Sequence, residues 1–203
     1  TYYTVQRNTN REHEYDFTCN TSEWFTYVST EKMRERWGEN FDAYWQKAID
    51  LTNQVYGQLL TENGEPVLST YFAISNGSTE ASANVWGSER PYLVSVASPG
   101  DLLSDGYLST VMLSPEEVQT GMKNELPDED FDFSMPYENW FSAQELSEAG
   151  YTKSITVGGV SVAGTKVRTA LSLSSTCFAV SFDGDSFVFT VRGYGHGVGM
   201  SQA

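Results

Sequence analysis

The chain closes with RGYGHGVGMSQA, residues 192–203, in which every second position from Gly193 to Gly199 is glycine. Glycine inside a strand costs about 0.5–1 kcal/mol per residue, so four of them cost roughly 2–4 kcal/mol. Two arrangements offset such a cost, the close approach of another backbone segment and the close approach of a ligand. The spacing alone leaves both open.

His196, one of only two histidines, lies inside this run. Upstream, Phe187, Phe189 and Val191 occupy one face of a predicted strand. If that strand continues, the glycines extend this face and Tyr194 and His196 share the other. If it ends, glycine permits positive φ and a tight path. A single histidine is more often structural than catalytic, but the surrounding glycines favour a functional site.

Composition excludes several classes of protein. The 203 residues suffice for one large or two small domains, and we predict one mixed α+β domain over residues 1–203, with mostly antiparallel sheets, hairpins and a few packed helices. The formal charge of −15 and the lack of a basic stripe exclude nucleic acid as a partner. No stretch approaches the roughly 18 apolar residues of a membrane span. Cys19 and Cys177 lie far apart and are expected to be buried and unbonded.

The clearest local patterns lie between residues 40 and 75. Apolar residues at helical spacing predict a helix over residues 41–55, with Asn40 as its N-cap and an aromatic stripe that packs in the core. Asn63-Gly64 between two apolar runs predicts a hairpin. In the following strand the predicted core face holds Leu68, Thr70, Phe72 and Ile74. The opposite face, towards a surface or cleft, holds Val67, Ser69, Tyr71, Ala73 and Ser75.

The patterns after residue 101 are weaker until the C-terminal third. We predict a variable, insertion-like region over residues 102–155. Within it, LPDEDFDF (126–133) lacks the spacing of a calcium loop and predicts a solvated acidic loop. SAQELSEAG (142–150) predicts a short helix ended by Gly150. Further on, Asp183-Gly184-Asp185 between two apolar runs predicts another hairpin.

Several motifs, in one order, carry a family resemblance. GYGHGVGMSQ (193–202) resembles the signature that ends the SpoIID/LytB family, the stage II sporulation protein D group of bacterial cell-wall proteins. FAISNGSTEASANVWGSERPYLVSVASPGD (72–101) resembles the central motif of the family, with its Thr-Glu, Val-Trp-Gly and Pro-Tyr-Leu elements. VRTALSLSSTCFAV (167–180) and KAIDLTNQVYGQLLTENGEPV (47–67) are similar to two further family segments. The similarity runs from about residue 40 to the end.

The resemblance implies an extracytoplasmic enzyme that acts on peptidoglycan, in the cell envelope or intermembrane space of a sporulating bacterium. Sporulation members are lytic transglycosylases, which cleave the MurNAc–GlcNAc bond of denuded glycan strands and leave a 1,6-anhydro sugar. One carboxylic acid can serve such a reaction twice, first protonating the leaving oxygen and then accepting the proton of the sugar 6-hydroxyl. We expect no cofactor for this chemistry.

The family's proposed catalytic Glu lies on an Ala-rich helix before an Ala-Arg-Thr-Tyr run. TYYTVQ, residues 1–6, resembles the end of that run. We therefore expect the catalytic Glu, and an anchoring segment, to precede Thr1. At the other end, relatives continue with an aromatic residue after GMSQ, so a shortened C-terminus is also expected.

Among the residues present, Glu80 matches the family's Thr-Glu pair and is the candidate catalytic acid. Its alternative role is to cap a local turn or helix start. His196 is its candidate partner, binding a sugar or orienting the acid, since an ordinary pKa near ~6.5 permits either charge state. Aromatic rings suit sugar faces, although a place in the core is the favoured alternative for Trp86. The substrate-binding candidates are Tyr71, Ser75, Gly77, Trp86, Arg192, Tyr194 and Gln202.

The resemblance also raises the question of zinc, because some relatives carry a zinc site of His and Cys after the first helix. His13 and Cys19 are the candidate remnant of such a site. A His–Cys pair without two further soft ligands is a poor zinc site. Phe72 stands where relatives have a further His, so bound zinc is disfavoured.

Two functions remain open. The first is a lytic transglycosylase, and the second is a non-catalytic glycan-binding module that recruits or stimulates a cell-wall amidase, as amidase enhancers do. Both need the same groove, and they differ in whether a carboxylic acid acts in it. A serine hydrolase with His196 as base lacks any nucleophile-elbow pattern. The negative charge is compatible with denuded strands, which carry fewer carboxylates than strands with intact stem peptides.

Overall fold

The structure is a computed structural model that describes residues 27–203. The chain divides into two compact units, Thr1–Leu68 and Ser69–Ala203. Helices and small, mostly antiparallel sheets occur together, which confirms the predicted α+β class. The single domain over residues 1–203 and the insertion-like region over 102–155 stay predictions. Within residues 27–203 no helix has both the length and the apolarity to cross a bilayer.

Two helices and a hairpin make up the described part of the first unit. Helix α1 spans Thr30–Trp37, a 3₁₀ turn spans Gly38–Asn40, and α2 spans Phe41–Val55. Strands β1 (Thr61–Glu62) and β2 (Glu65–Pro66) pair in antiparallel fashion. Between them Asn63 and Gly64 have φ values of 51° and 83°, the left-handed pair that a type I′ turn requires. The predicted helix and hairpin are confirmed.

The aromatic stripe of α2 is not part of a core. Phe41 is buried and stacks on Trp45 at a centroid distance of 5.7 Å. Tyr44 and Leu51, however, are 48% and 52% exposed. The predicted core packing is therefore wrong beyond Phe41, because within residues 27–68 the only helix beside α2 is α1, which contacts its first turns. Asn40 precedes the helix as predicted, but its side chain makes no capping hydrogen bond.

The second unit is built on two three-stranded antiparallel sheets. One sheet has the order β4-β9-β8, with β4 at Leu108–Leu113, β8 at Phe178–Phe182 and β9 at Phe187–Arg192. The other has the order β5-β6-β7, with β5 at Phe141–Leu146, β6 at Thr152–Val157 and β7 at Val160–Ala163. Helices α4 (Pro115–Glu125) and α5 (Gly164–Ala170) pack on each other.

One hydrophobic core joins these sheets and helices. Its largest fully buried apolar side chains are Val118, Met122, Trp140, Ile155, Val157, Val167, Phe187, Phe189 and Val191. The alternation predicted for the last strand is confirmed, since Phe187, Phe189 and Val191 are all buried. The predicted turn is confirmed as well, because the Asp183 carboxylate accepts hydrogen bonds from the N–H groups of Asp185 (3.0 Å) and Ser186 (2.8 Å).

The helix predicted over residues 142–150 is wrong, since this segment forms most of β5. Pairing with β6 overrides the local helical pattern, because the backbone groups of β5 find partners across the sheet. A shift in register follows Ser142, and Ala143 there has a φ of 46°. The acidic loop is solvated as predicted, with exposed side chains at Asp128, Glu129, Asp130 and Asp132.

Three short elements complete the second unit. Strand β3 (Tyr71–Phe72) pairs in parallel with β10 (Met200–Ser201), and α3 spans Ser82–Trp86. The segments that hold most of the predicted site residues are therefore linked by the β3–β10 pair. A 3₁₀ helix at Pro99–Leu103 follows α3.

Candidate functional site

The glycine run does not continue β9, which ends at Arg192. A Cβ at Gly195 would lie 2.7 Å from the Cβ of Phe72, and a Cβ at Gly193 would lie 2.7 Å from the carbonyl oxygen of Ile74. The run therefore packs directly on the backbone of residues 70–80. Left-handed φ values of 78°, 117°, 81° and 89° occur at Gly193, Gly195, Gly197 and Gly199. Of the two arrangements that the spacing left open, the structure shows close backbone approach.

Backbone hydrogen bonds fasten the run to that segment. Tyr194 and Ile74 exchange N–H···O bonds of 2.7 and 2.9 Å, and the N–H of Glu80 donates to the carbonyl of Gly197 at 2.7 Å. These bonds place the two candidate catalytic residues, Glu80 and His196, on neighbouring backbone segments. The glycines thus act as a scaffold that brings distant parts of the sequence together.

Glu80 is 2% exposed, and both its carboxylate oxygens accept hydrogen bonds. Its Oε1 accepts from the N–H of Ala81 at 2.7 Å and from Nδ2 of Asn84 at 2.9 Å. Its Oε2 accepts from the hydroxyl of Ser147, whose oxygen in turn accepts from the N–H of Tyr151 at 3.2 Å. The carboxylate therefore holds the start of α3, in line with the alternative role predicted for Glu80.

Glu80 also lines an open cavity of about 320 Å³. Residues 146–149 and Lys153 form another part of its lining. The Lys153 ammonium is paired with Glu145 at 2.9 Å, and its charge also interacts with Glu80. A ligand that entered this cavity would meet a carboxylate whose position three donors fix.

His196 is a neutral, oriented imidazole. Its Nδ1 accepts from the N–H of Val198 at 3.1 Å, and the ring also hydrogen-bonds the backbone of Tyr71. The ring centroid lies 5.7 Å from that of Phe72 and 5.3 Å from that of Trp86. Burial, followed by the positive charge of Arg168, lowers the pKa of His196, so the neutral form dominates at neutral pH. No hydrogen bond joins its ring to Glu80 in residues 27–203.

Three predicted sugar-stacking residues are open to solvent, and we call Tyr71, Trp86 and Tyr194 the aromatic surface. Their exposed fractions are 50%, 41% and 56%. The core position favoured for Trp86 is therefore wrong, because one side of its ring packs near His196 and the rest reaches solvent. Arg192 and Gln202 are exposed too.

Ser75 has no exposed surface, so the predicted outward direction of its side chain is wrong. The turn that follows the strand closes over it. Its N–H donates to Oδ2 of Asp101 at 2.6 Å, and its hydroxyl oxygen accepts from the N–H of Gly77 at 3.1 Å. Gly77 itself has a φ of 105° and packs on Leu102, which a Cβ would approach to 3.1 Å. Both residues therefore shape the turn from within.

Asp101 is the important residue that the sequence did not reveal. It is 2% exposed and accepts hydrogen bonds from the N–H of Ser75 and from the hydroxyl of Ser98 at 3.0 Å. Burial by itself would raise the pKa of Asp101, but hydrogen bonds from Ser201, Ser75 and Ser98 together lower it. The carboxylate thus ties the turn at Ser75 to the 3₁₀ helix that contains Asp101. The sequence signals are its place after Pro99-Gly100 and at the end of the segment 72–101 that carries the family resemblance, and neither indicates a buried carboxylate.

The candidate zinc ligands His13 and Cys19 lie outside the described residues. Within residues 27–203 no group of three or more His, Cys, Asp and Glu side chains is placed to hold a metal ion. Cys177 is buried and unbonded as predicted, and its sulfur accepts from Nδ2 of Asn76 at 3.3 Å.

Comparison of the sequence with known proteins identifies relatives that match most of the chain. The chain is 31% identical over 176 residues to stage II sporulation protein D of Bacillus subtilis (strain 168), an alignment that covers 87% of the chain and 49% of that protein. It is 28% identical over 198 residues to stage II sporulation protein D of Bacillus amyloliquefaciens, covering 98% of the chain and 55% of that protein. The chain is a homologue of stage II sporulation protein D.

The homology extends to a second type of protein. The chain is 26% identical over 212 residues to the amidase enhancer of Bacillus subtilis (strain 168), covering 81% of the chain and 30% of that protein. No protein-family model matches the chain. The predicted resemblance is therefore confirmed by individual relatives. The chain spans about half the length of the two sporulation proteins that it matches.

Proposed function

We propose that this homologue of stage II sporulation protein D is a lytic transglycosylase that cleaves MurNAc–GlcNAc bonds of denuded peptidoglycan strands. The activity belongs to sporulation and cell-wall remodelling, outside the cytoplasm in the cell envelope. Homology to a sporulation protein and to an amidase enhancer supports the cell-wall context. The observation that carries the proposal is the aromatic surface, three half-exposed rings on the segments that hold a half-buried, oriented histidine.

The aromatic surface suits a glycan because a sugar ring presents an apolar face of C–H groups and a rim of hydroxyls. Tyr71, Trp86 and Tyr194 offer large rigid faces that lose little conformational entropy on binding. His196 is a positioning residue here, since its ring packs on Trp86 and bonds the backbone of Tyr71. Exposed Arg192 and Gln202 supply donors for the hydroxyls.

The chemical step needs a proton donor and a proton acceptor. The donor protonates the glycosidic oxygen while the bond from that oxygen to C1 breaks. The sugar's own 6-hydroxyl oxygen then bonds to C1, and its proton passes to a carboxylate. Glu80 fits the acceptor role, because three hydrogen-bond donors fix the position of its carboxyl group at the edge of a cavity. One carboxyl group can serve both steps, so the same side chain, when protonated, is also the candidate donor. No cofactor takes part.

The second candidate is a non-catalytic module that binds denuded strands and stimulates a cell-wall amidase. Homology to the amidase enhancer favours it. The engagement of both Glu80 oxygens with protein donors favours it too, because a carboxylate bound in this way also has a purely structural use. Either function makes an amidase a natural partner, since an amidase produces the denuded strand.

The deciding experiment uses the full-length protein and purified denuded glycan strands. Mass spectrometry of the products distinguishes the reactions by their ends. The lytic transglycosylase produces 1,6-anhydro-muramyl ends, and Glu80→Gln slows their formation while Asp128→Asn, in the exposed acidic loop, does not. Reducing ends would indicate hydrolysis and contradict the proposal. Binding without cleavage would assign the accessory role instead.

A further inference from the structure

A second cleft lies beside the glycine run, where β4, the end of α5 and Tyr194 meet. Its volume is about 480 Å³. Its lining is rich in hydroxyl groups, contains one cation and contains no carboxylate. The lining residues are Ser109, Val111, Arg168, Thr169, Ser172, Leu173, Ser174 and Tyr194.

Arg168 is the cation, and its charge has no partner in residues 27–203. The three ion pairs there are those of Arg34, Lys153 and Lys166. The Nε–H of Arg168 donates to the carbonyl of Leu173 at 3.2 Å. No buried side-chain nitrogen in the described part of the chain lacks a partner, so the Nη atoms reach the solvent of the cleft. Burial lowers the pKa of Arg168, but a guanidinium stays charged at neutral pH.

A half-buried, unpaired guanidinium is unexpected in a chain with 27 acidic residues and 12 Lys and Arg. Partial desolvation disfavours such a charge unless an anion compensates it. Hydroxyls that line the same cleft supply further donors. Ser109 and Ser174 lie 3.4 Å apart, and Ser172 is held at a left-handed φ of 52° beside them in the lining. A guanidinium with neighbouring hydroxyls is a carboxylate-binding arrangement.

The cleft adjoins the aromatic surface. Tyr194 belongs to both, because it is half-exposed and lines the cleft. The charge of Arg168 also acts on His196, whose ring packs on Trp86. A glycan on the aromatic surface would therefore carry its nearest substituents towards Arg168.

We propose that Arg168 and the hydroxyls of this cleft bind the free lactyl carboxylate of a MurNAc residue, and that this contact selects denuded strands. The inference rests on the proposed function. In a strand with stem peptides the lactyl carboxyl is an amide and carries no charge. Removal of the peptide frees the carboxylate, which the guanidinium can bind with two parallel hydrogen bonds. Arg168 is then a specificity-determining residue.

The test measures binding by calorimetry to denuded strands and to the same strands with the lactyl carboxylate converted to a methyl amide. A charge-assisted contact of this kind corresponds to about a 10- to 100-fold difference in affinity. The wild-type protein binds denuded strands more tightly by that factor. Arg168→Gln loses the difference while its affinity for the amide strands is unchanged. Lys166→Gln, which removes one exposed positive charge from the same helix, keeps the difference.

The other possible results contradict either the inference about Arg168 alone or the proposed function as well. Equal binding of both strands by the wild-type protein overturns the inference and needs no variant. An equal loss for both strands in Arg168→Gln, with Arg168→Lys behaving in the same way, shows a structural role and also overturns it. In both cases glycan binding persists and the proposed function stands. Absence of binding to either strand overturns the proposed function and the inference together.

Discussion

Gly195→Ala tests the close backbone approach on which the site depends. Gly195 has a φ of 117°, and its added Cβ would lie 2.7 Å from the Cβ of Phe72. The conformation alone costs about 1–3 kcal/mol for a residue with a side chain. The overlap adds about 1–3 kcal/mol, because Phe72 is buried and has little room to move. We therefore expect a total loss of roughly 2–6 kcal/mol in the free energy of unfolding.

Gly184→Ala is the matched control. Gly184 has a φ of 105°, but nothing lies within 4 Å of its added Cβ. It carries the conformational cost without the overlap, so Gly195→Ala is less stable than Gly184→Ala by about 1–3 kcal/mol. In a chain of this size that corresponds to roughly 2–4 °C in Tm for each kcal/mol.

Urea denaturation followed by circular dichroism and by tryptophan fluorescence, to which buried Trp140 contributes, measures both variants. The change is read from the midpoint at a constant slope. Equal destabilisation of the two variants would refute the reasoning, because the glycines of the run would then be needed only for their backbone conformation. If Gly195→Ala were as stable as the wild-type protein, the reasoning would be refuted more strongly, because neither the conformational cost nor the overlap would be present.

Two further predictions concern pH and are measured by urea denaturation across a pH series. The lowered pKa of Asp101 stabilises the fold above the ordinary value of 3.8, and this contribution is lost as the pH falls through the folded-state pKa. The Asp101→Asn variant is therefore less stable than the wild type at pH 7, and it lacks this loss of stability at low pH. If the variant lost as much stability at low pH as the wild type does, Asp101 would not be the group responsible. The lowered pKa of His196 means that the unfolded chain binds the proton first, so wild-type stability falls as the pH drops below the ordinary 6.5. The His196→Gln variant lacks this decline in stability. A decline of the same size in the variant would show that another group than His196 causes it.

The elements that the sequence predicted well are those that local chemistry specifies. Asn63-Gly64 and Asp183-Gly184-Asp185 carry their own turn conformations, so both hairpins were predictable. The helix at Phe41–Val55 follows from its apolar period. The failure at residues 142–150 has the opposite cause, because β5 owes its conformation to pairing with β6.

In the candidate site, too, some features follow from the local sequence and others depend on tertiary packing. The glycine run indicated where the site lies, but only the packing of residues 70–80 shows that backbone lies against it. Ser75 and Asp101 are 26 residues apart, and no local pattern reveals that one closes the turn over the other. Arg168 meets Ser109 and Tyr194 in the cleft only after β4, α5 and the run have packed together.

The most direct test of the central claim is the affinity of the protein for denuded glycan strands after removal of one ring of the aromatic surface. Calorimetry compares Trp86→Ala and Tyr194→Ala with Tyr56→Ala, a substitution of a tyrosine that is 84% exposed in the first unit. We expect the first two to weaken binding by about tenfold or more, or roughly 1.4 kcal/mol, while Tyr56→Ala binds as the wild type does. Unchanged affinity in both Trp86→Ala and Tyr194→Ala would contradict the claim that this surface holds the glycan.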